Sequence, residues 1–160
     1  MRLRLGVTLV LSAFIALLAG CGKQDFCKYL SLREAQAFAP TITSAKMRQT
    51  KRLLYCVWSD GSSDKLFISV DQAMSHSPQE FLKVLAKNSP EETHEVVSIA
   101  GVGTEAAALF LGNAGQLKLD FLIAQNSKYS VAIRAPDVTA SDSQEFLKLK
   151  EIASTVLSRI

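Results

Sequence analysis

The sequence lacks the short motifs that identify the common enzyme classes. It contains no HExxH zinc motif, no GxSxG serine motif and no Walker loop, and Gly101-Val102-Gly103 lacks the third glycine of a dinucleotide-binding loop. Its two histidines, His76 and His94, stand 18 residues apart without a carboxylate at ligand spacing. We therefore predict no catalytic residues, no metal site and no cofactor.

One acidic segment leaves a weaker alternative open. Glu91, Glu92 and Glu95 surround His94 and offer oxygen and nitrogen donors for a divalent cation. Charge clusters of this kind are usually solvated surface, and that is the interpretation we favour. A hydrolase whose catalytic groups are scattered along the chain is a further alternative, and it would need a cleft in which acid and base groups converge.

The sequence has no excess of one charge and no apolar run long enough to span a bilayer. Its 160 residues include 18 basic and 15 acidic ones, and Arg2 and Arg4 account for most of the net charge of +3. A nearly neutral remainder gives no electrostatic basis for binding nucleic acid. The mostly apolar stretch 5–19 is about 15 residues long, short of the roughly 20 that a transmembrane helix needs.

That stretch, with the cationic start before it, is typical of a signal peptide. The segment Leu18-Ala19-Gly20-Cys21 resembles the bacterial lipobox. The resemblance implies diacylglycerol on the Cys21 sulfur, cleavage before Cys21 and acylation of the new amino group. The alternative is an ordinary secretory leader with a chance cysteine. We predict a lipoprotein signal peptide at residues 1–20, a short lipidated tether at 21–26 and a single domain at 27–160.

The predicted location follows from this anchor. Several acyl chains hold a protein stably on a membrane, so we expect an exported protein bound to membrane lipid through Cys21. By resemblance to enterobacterial sorting rules, in which an aspartate at this position signals retention, Gly22 implies the outer membrane facing the periplasm if the source is Gram-negative. In any other source we expect the outer face of the plasma membrane. Six Cα steps from Cys21 to Cys27 reach about 20 Å at most, which places the domain close to the bilayer.

The two remaining cysteines, Cys27 and Cys56, are expected to pair, because the exported compartment is oxidising. The bond would close a loop of 30 residues, counted inclusively, and would tie the tether to the first strand. A redox or metal role is the alternative. It is disfavoured because there is no CxxC and no histidine nearby.

Local patterns predict alternating strands and helices. Ser31 and Glu34 form a capping box that begins a helix at 31–39, and Ser77 and Asp142 are predicted caps of two later helices. Residues 41–52 are polar and basic, which indicates a loop or a frayed edge. The predicted strands, which include two hairpins, lie at 53–58, 66–70, 96–99, 107–111, 117–122 and 129–133.

A five-residue segment occurs twice. Gln79-Glu80-Phe81-Leu82-Lys83 recurs as Gln144-Glu145-Phe146-Leu147-Lys148, and both copies open a predicted helix after a hairpin. The recurrence favours two ββα halves packed side by side. The alternative is a chance repeat of residues that are common in amphipathic helices. In either case we predict an α+β fold, an antiparallel β-sheet with helices packed on one face. The core side of the last helix is predicted to consist of Phe146, Leu147, Leu149, Ile152, Ala153, Val156 and Leu157.

Taken together, the lipobox, Cys27, the first helix, Cys56-Val57-Trp58 and the segment 99–107 resemble a known group. The sequence is similar to the small, disulfide-stapled bacterial envelope lipoproteins abundant in actinobacteria. Phe38-Ala39-Pro40 stands where that family usually has a glycine helix stop, and Thr104-Glu105 stands where its motif has glycine and aspartate. The family is largely uncharacterised, so the resemblance implies architecture and location more than activity.

Two surfaces are candidates for binding. Lys46, Arg48, Lys51 and Arg52 form a local concentration of positive charge. They would contact anionic headgroups or an acidic protein, and the alternative is a solvated loop. An outward-facing apolar sheet surface is the other candidate. Its residues would be Trp58, Phe110, Leu122 and Tyr129, for which a filled core is the default interpretation.

We therefore expect a non-enzymatic binding or accessory module for an envelope protein partner, such as an inhibitor or assembly factor. The alternative function is a carrier or sensor of an apolar small ligand in the periplasm or cell envelope. That function requires a continuous cavity of several hundred Å³ between sheet and helices.

Overall fold

The computed structural model describes residues 25–50, 53–88, 93–113 and 116–160. A 3₁₀ helix, Phe26–Tyr29, precedes the regular elements. These are α1 (Leu32–Phe38), β1 (Ser44–Gln49), β2 (Leu54–Ser59), β3 (Asp64–Gln72), α2 (Pro78–Lys87), β4 (Thr93–Ile99), β5 (Glu105–Asn113), β6 (Gln116–Gln125), β7 (Tyr129–Arg134) and α3 (Gln144–Arg159). Several predicted features lie outside the described residues, namely the signal peptide, Cys21, Lys51, Arg52, Glu91 and Glu92.

The seven strands form one antiparallel sheet in the order β1-β2-β3-β7-β6-β5-β4. Two meanders, β1-β2-β3 and β4-β5-β6-β7, meet where β3 pairs with β7. Both predicted hairpins are present, since β2 pairs with β3 and β6 with β7. The α+β class and the antiparallel sheet are confirmed.

The helices lie on both faces of this sheet, which corrects the prediction of one face. Along β5, side chains alternate between the faces. Ala106, Ala108 and Phe110 belong to a core shared with α1 and α3, whereas Ala107 and Leu109 pack with α2. The reason is topological. The chain runs from β3 in the centre to β4 at the far edge, so α2 passes over the second meander on the face that α1 and α3 leave open.

The same crossing overturns the two side-by-side ββα halves. α2 follows the first hairpin, but it packs on β4, β5 and β6. α3 packs on β6, β7 and α1. The recurring segments at 79–83 and 144–148 do both lie at the start of a helix. Their similarity reflects a shared helix start and not a structural repeat.

The cap of the first helix confirms the sequence reasoning. At α1 the capping box is complete: the Ser31 hydroxyl accepts a hydrogen bond from the Glu34 backbone N–H, and the Glu34 carboxylate accepts one from the Ser31 N–H at 2.8 Å. At α2 the Ser77 hydroxyl caps in the same way, and Pro78 occupies the first turn.

At α3 the predicted cap is wrong by one residue. The hydroxyl of Ser143, and not Asp142, accepts the hydrogen bond from the Phe146 N–H at 3.1 Å. Of the predicted core side of this helix, Leu147 is wrong, since it is 42% exposed. Six of the seven predicted residues are buried. Leu147 departs because it lies next to Phe146 in the helix and therefore points about 100° away from it.

The prediction of a loop or frayed edge at 41–52 is corrected by β1. Residues 44–49 pair in continuous register with β2 and form one edge of the sheet. An edge strand has one unpaired side and tolerates a polar, basic sequence, which explains why the segment lacks a strand-like composition. Met47 packs against the larger core, and Lys46 and Arg48 lie on the opposite face.

The larger core fills the space between the sheet and the pair α1 and α3. It contains Trp58, Phe110 and Leu122, so the filled-core interpretation holds for these three residues, while Tyr129 is half-buried at the end of β7. The predicted disulfide is present: Cys27 and Cys56 are bonded, with their Cα atoms 5.2 Å apart. It fastens the 3₁₀ helix to β2.

Candidate functional site

A groove runs along the α2 face of the sheet. On this face α2 covers β4, β5 and β6. Within the described ranges, no helix covers the neighbouring strands β2, β3 and β7 on the same face. The boundary forms two adjoining depressions of 460 and 250 Å³, both open to solvent. They share Leu53, Ser69, Phe121 and Ala132, and we refer to them together as the α2 groove.

Small residues on the floor and large ones at the sides create this groove. Ser69 on β3 and Ala132 on β7 lie directly opposite each other in the sheet and leave room above them. Phe81 from α2 and Leu53 from the segment before β2 stand at the sides, and they are 40% and 43% exposed. The walls of the groove are therefore apolar and accessible to solvent.

The charged groups of the groove lie at its opposite ends. Asp71 faces Ser130 across the β3–β7 pair, and Arg134 is opposite Phe67, four residues further along β7. Arg134 donates to the Asp120 carboxylate at 2.6 Å and lies over the Phe121 ring, 4.9 Å from its centroid. Asp71 and Arg134 are therefore separated, and most of the lining between them is apolar.

Two of the predicted basic residues are placed beside this groove. Arg48 and Lys46 pair with Tyr55 and Val57 of β2, and directly opposite residues share a face of the sheet, so both lie on the groove side. Arg48 makes two hydrogen bonds to the Asp64 carboxylate, at 2.9 and 3.2 Å. Arg48, one of the four predicted basic residues, therefore forms an ion pair with Asp64 that joins β1 to β3.

The histidines do not form a site in the structure. His76, before α2, and His94, on β4, are both exposed. His94 and Glu95 are consecutive in a strand and therefore point to opposite faces. Across the described part of the chain, no group of three or more histidine, cysteine or acidic side chains is arranged to hold a metal ion.

Two carboxyl groups with a clearly lowered pKa, Glu34 and Asp60, lie away from the groove. Hydrogen bonds from Arg159 and Ser31 lower the pKa of Glu34 to about 2. Hydrogen bonds from the Ser62 hydroxyl and from backbone N–H groups in the β2–β3 turn hold the pKa of Asp60 well below its usual range. These carboxylates stabilise a helix cap and a turn.

Sequence reasoning missed the groove because Phe81, Leu82, Val84 and Leu85 follow a helical spacing that predicts the buried side of α2. Leu82 and Ala86 fill that role and are buried, while Phe81 borders the groove. One signal was available. Phe81, Leu82, Val84 and Leu85 cover more of the helix circumference than one buried stripe requires.

The fold and the groove define an α+β domain with an open, largely apolar groove on one face of its sheet. No family model matches this chain, and no curated protein or solved structure shows significant similarity to it. Within the ranges described above, none of the helices is long and apolar enough to cross a membrane.

Proposed function

We propose that this chain is a lipid-anchored protein of the bacterial cell envelope that acts as a binding or accessory module for a protein partner. The leader and the lipobox-like segment ending in Cys21 support export and anchoring. The Cys27–Cys56 disulfide supports the same location, because such bonds persist in oxidising compartments outside the cytosol.

The α2 groove is the observation that supports the binding role. It offers Phe81, an exposed apolar side chain, beside a shallow floor at Ala132. Apolar side chains at the centre of an interface, surrounded by polar groups, are typical of protein recognition. Lys46 on β1 adds positive charge on the same face. The partner is therefore expected to insert apolar side chains next to an acidic residue.

Site-specific photo-crosslinking tests this role on the full, lipid-modified protein in its native envelope. A photoreactive residue at Phe81, in the groove, is compared with one at Val84, which lies on the same helix and is 59% exposed. We expect a discrete, saturable protein adduct from position 81 that is absent from position 84. Ala132→Leu, which fills the floor, should reduce the adduct.

Three results of the photo-crosslinking experiment would contradict binding of a protein partner in the groove. Equal adduct patterns from both positions, or no protein adduct from position 81, contradict a partner in the groove. An unchanged adduct in Ala132→Leu would place the contact outside the groove. Circular dichroism of each variant shows that the fold is retained.

A carrier or sensor of an apolar small ligand is the second candidate function. The 460 Å³ depression falls within the roughly 300–1,000 Å³ typical of ligand sites, although it is an open groove and not an enclosed cavity. Solvent extraction of the purified protein followed by mass spectrometry distinguishes the two functions. A stoichiometric apolar compound that is lost in Ala132→Leu would favour the carrier over the protein-binding module.

A further inference from the structure

The N-terminal 3₁₀ helix lies next to one end of the sheet. The pairs Gln49–Leu54, Gln72–Tyr129 and Gln125–Ser130 lie at the same end, because neighbouring strands are antiparallel. We call this end of the molecule the tether end. It includes Leu53, just before β2, and the β6–β7 turn at 126–128.

The chain leaves the domain at this end and is held there. Phe26 lines a pocket together with Gln72, Tyr129 and Ile160, and the disulfide of the next residue, Cys27, fixes the segment to β2. Cys21 lies five residues before Phe26, so its sulfur is attached within about 17 Å of the tether end even when the chain is fully extended. A bilayer that holds Cys21 therefore lies next to this surface.

The side chains of the tether end have the chemistry of a membrane–water interface. Leu53 is 43% exposed, and in the sequence it follows Lys51 and Arg52. The ammonium groups of Lys28 and Lys128 each lie 5.0 Å from the centroid of the adjacent tyrosine ring, Tyr29 or Tyr129. Tyrosine and lysine concentrate at headgroup level because each combines an apolar body with a polar tip.

We propose that the tether end rests on the phospholipid surface, with Leu53 entering the headgroup layer and Lys28 and Lys128 contacting lipid phosphates. This rests on the proposed lipidation of Cys21. The acidic groups at this end, Asp25 and Asp71, each accept a backbone hydrogen bond, from the N–H of Cys27 and of Gln72. Because the tether keeps the domain at high effective concentration over the membrane, weak contacts are enough to orient it.

Tryptophan quenching by brominated phospholipid tests this orientation. Leu53→Trp is compared with Leu147→Trp, since the two leucines are equally exposed, at 43% and 42%, and Leu147 lies on α3 away from the tether end. The full, lipid-modified protein is reconstituted into brominated phosphatidylcholine vesicles with and without phosphatidylglycerol. The unsubstituted protein corrects for the native Trp58, which is fully buried.

We expect at least twofold stronger quenching at position 53 than at position 147. Hydrogen exchange of the unsubstituted protein provides a second measurement if Leu53→Trp perturbs the fold. We expect the backbone amides of residues 49–54 to exchange more slowly on vesicles than in detergent. Flotation separates the two ways of failing. Protein that does not float with vesicles contradicts the anchor. Protein that floats, but shows equal quenching at both positions and no change in exchange, overturns the orientation while the anchor stands.

Discussion

At the scale of single residues, two glycines between β4 and β5 have the same backbone requirement and different surroundings. Gly101 has φ of +79° and Gly103 has φ of +60°, both in the left-handed region that favours glycine. A Cβ on Gly101 would meet open space. A Cβ on Gly103 would collide with the carbonyl oxygen of Gln125, which also accepts hydrogen bonds from Thr104. The segment Gly101-Val102-Gly103 is therefore a tight turn against β6.

This difference predicts unequal costs for the same substitution. Gly101→Ala should lower the free energy of unfolding by about 1 kcal/mol, the cost of a left-handed alanine. Gly103→Ala should lower it by about 3 kcal/mol, because displacement of the β6 backbone adds to that cost. Urea denaturation of the two variants measures both values. Equal losses would show that contact with Gln125 is not what requires a glycine at position 103.

Glu34 gives a residue-scale prediction for the dependence of stability on pH. Hydrogen bonds from Arg159 and Ser31 depress its pKa from 4.5 to about 2 in the folded protein. A carboxyl group whose pKa is lower in the folded than in the unfolded protein stabilises the fold. This stabilisation is fully present above the unfolded-state pKa and is lost as the pH falls through the folded-state pKa. Glu34→Gln should therefore destabilise the protein at pH 7, and its deficit should shrink between about pH 4.5 and 2.

Denaturation midpoints of wild type and Glu34→Gln across this range measure the deficit. Glu145→Gln is the matched control, since Glu145 is an exposed glutamate in the first turn of α3. A deficit at Glu34 that stays constant down to pH 2 would contradict an electrostatic origin.

At the scale of elements, the disulfide compensates for the small size of the N-terminal structure. The 3₁₀ helix has four residues and α1 has seven, too few to be stable as isolated helices. Cys27 fastens them to β2, and the ion pair between Arg159 and Glu34, at 2.6 Å, joins α1 to the end of α3. The two links hold the N-terminal segment on the larger core.

Removing the disulfide should be costly. Replacing Cys27 and Cys56 together with alanine should lower the free energy of unfolding by about 3.5 kcal/mol, because the unfolded chain regains the entropy of a loop of about 30 residues. Denaturation of the double variant beside reduced wild type measures this loss. The two should agree within error, and a loss below about 1 kcal/mol would contradict the stapling role.

The elements also show which features were predictable. The caps at Ser31 and Ser77 and the hairpin that contains Cys56 depend on neighbouring residues, and local sequence specifies them. The pairing of β1 is different. Its polar composition resembles a loop, and only the exposed edge of β2 makes it a strand. The four groove residues shared by both depressions come from separate segments, so no local pattern brings them together.

At the scale of the whole molecule, geometry connects the α2 groove with the end of the sheet where we propose the lipid anchor. Asp71 lines both the pocket beside Phe26 and the α2 groove, so one end of the groove opens at the tether end. A protein held by Cys21 in the orientation proposed above would present this groove alongside the bilayer. Its partner would therefore meet it at the membrane surface.

Lipid modification of Cys21 gives the prediction at this scale. The mature native protein should begin at Cys21 and carry the mass of a diacylglyceryl group and an amino-terminal acyl chain. Cys21→Ser should lose both the lipid mass and the leader cleavage, while the domain at 27–160 keeps its fold. Intact-protein mass spectrometry of the two proteins measures this. An unmodified thiol in the wild-type protein would contradict the anchor.

The sequence alone determined the α+β class, the antiparallel hairpins, the first two helix caps and the partner of each domain cysteine. These features arise from alternation, capping chemistry and the number of thiols, all of which act over short distances or by elimination. Only the tertiary structure decided that α2 lies on the opposite face from α1 and α3, and that a groove remains beside it. A helix can pack on either face of a sheet, and the choice depends on the strand order, which is set by contacts between residues distant in the chain.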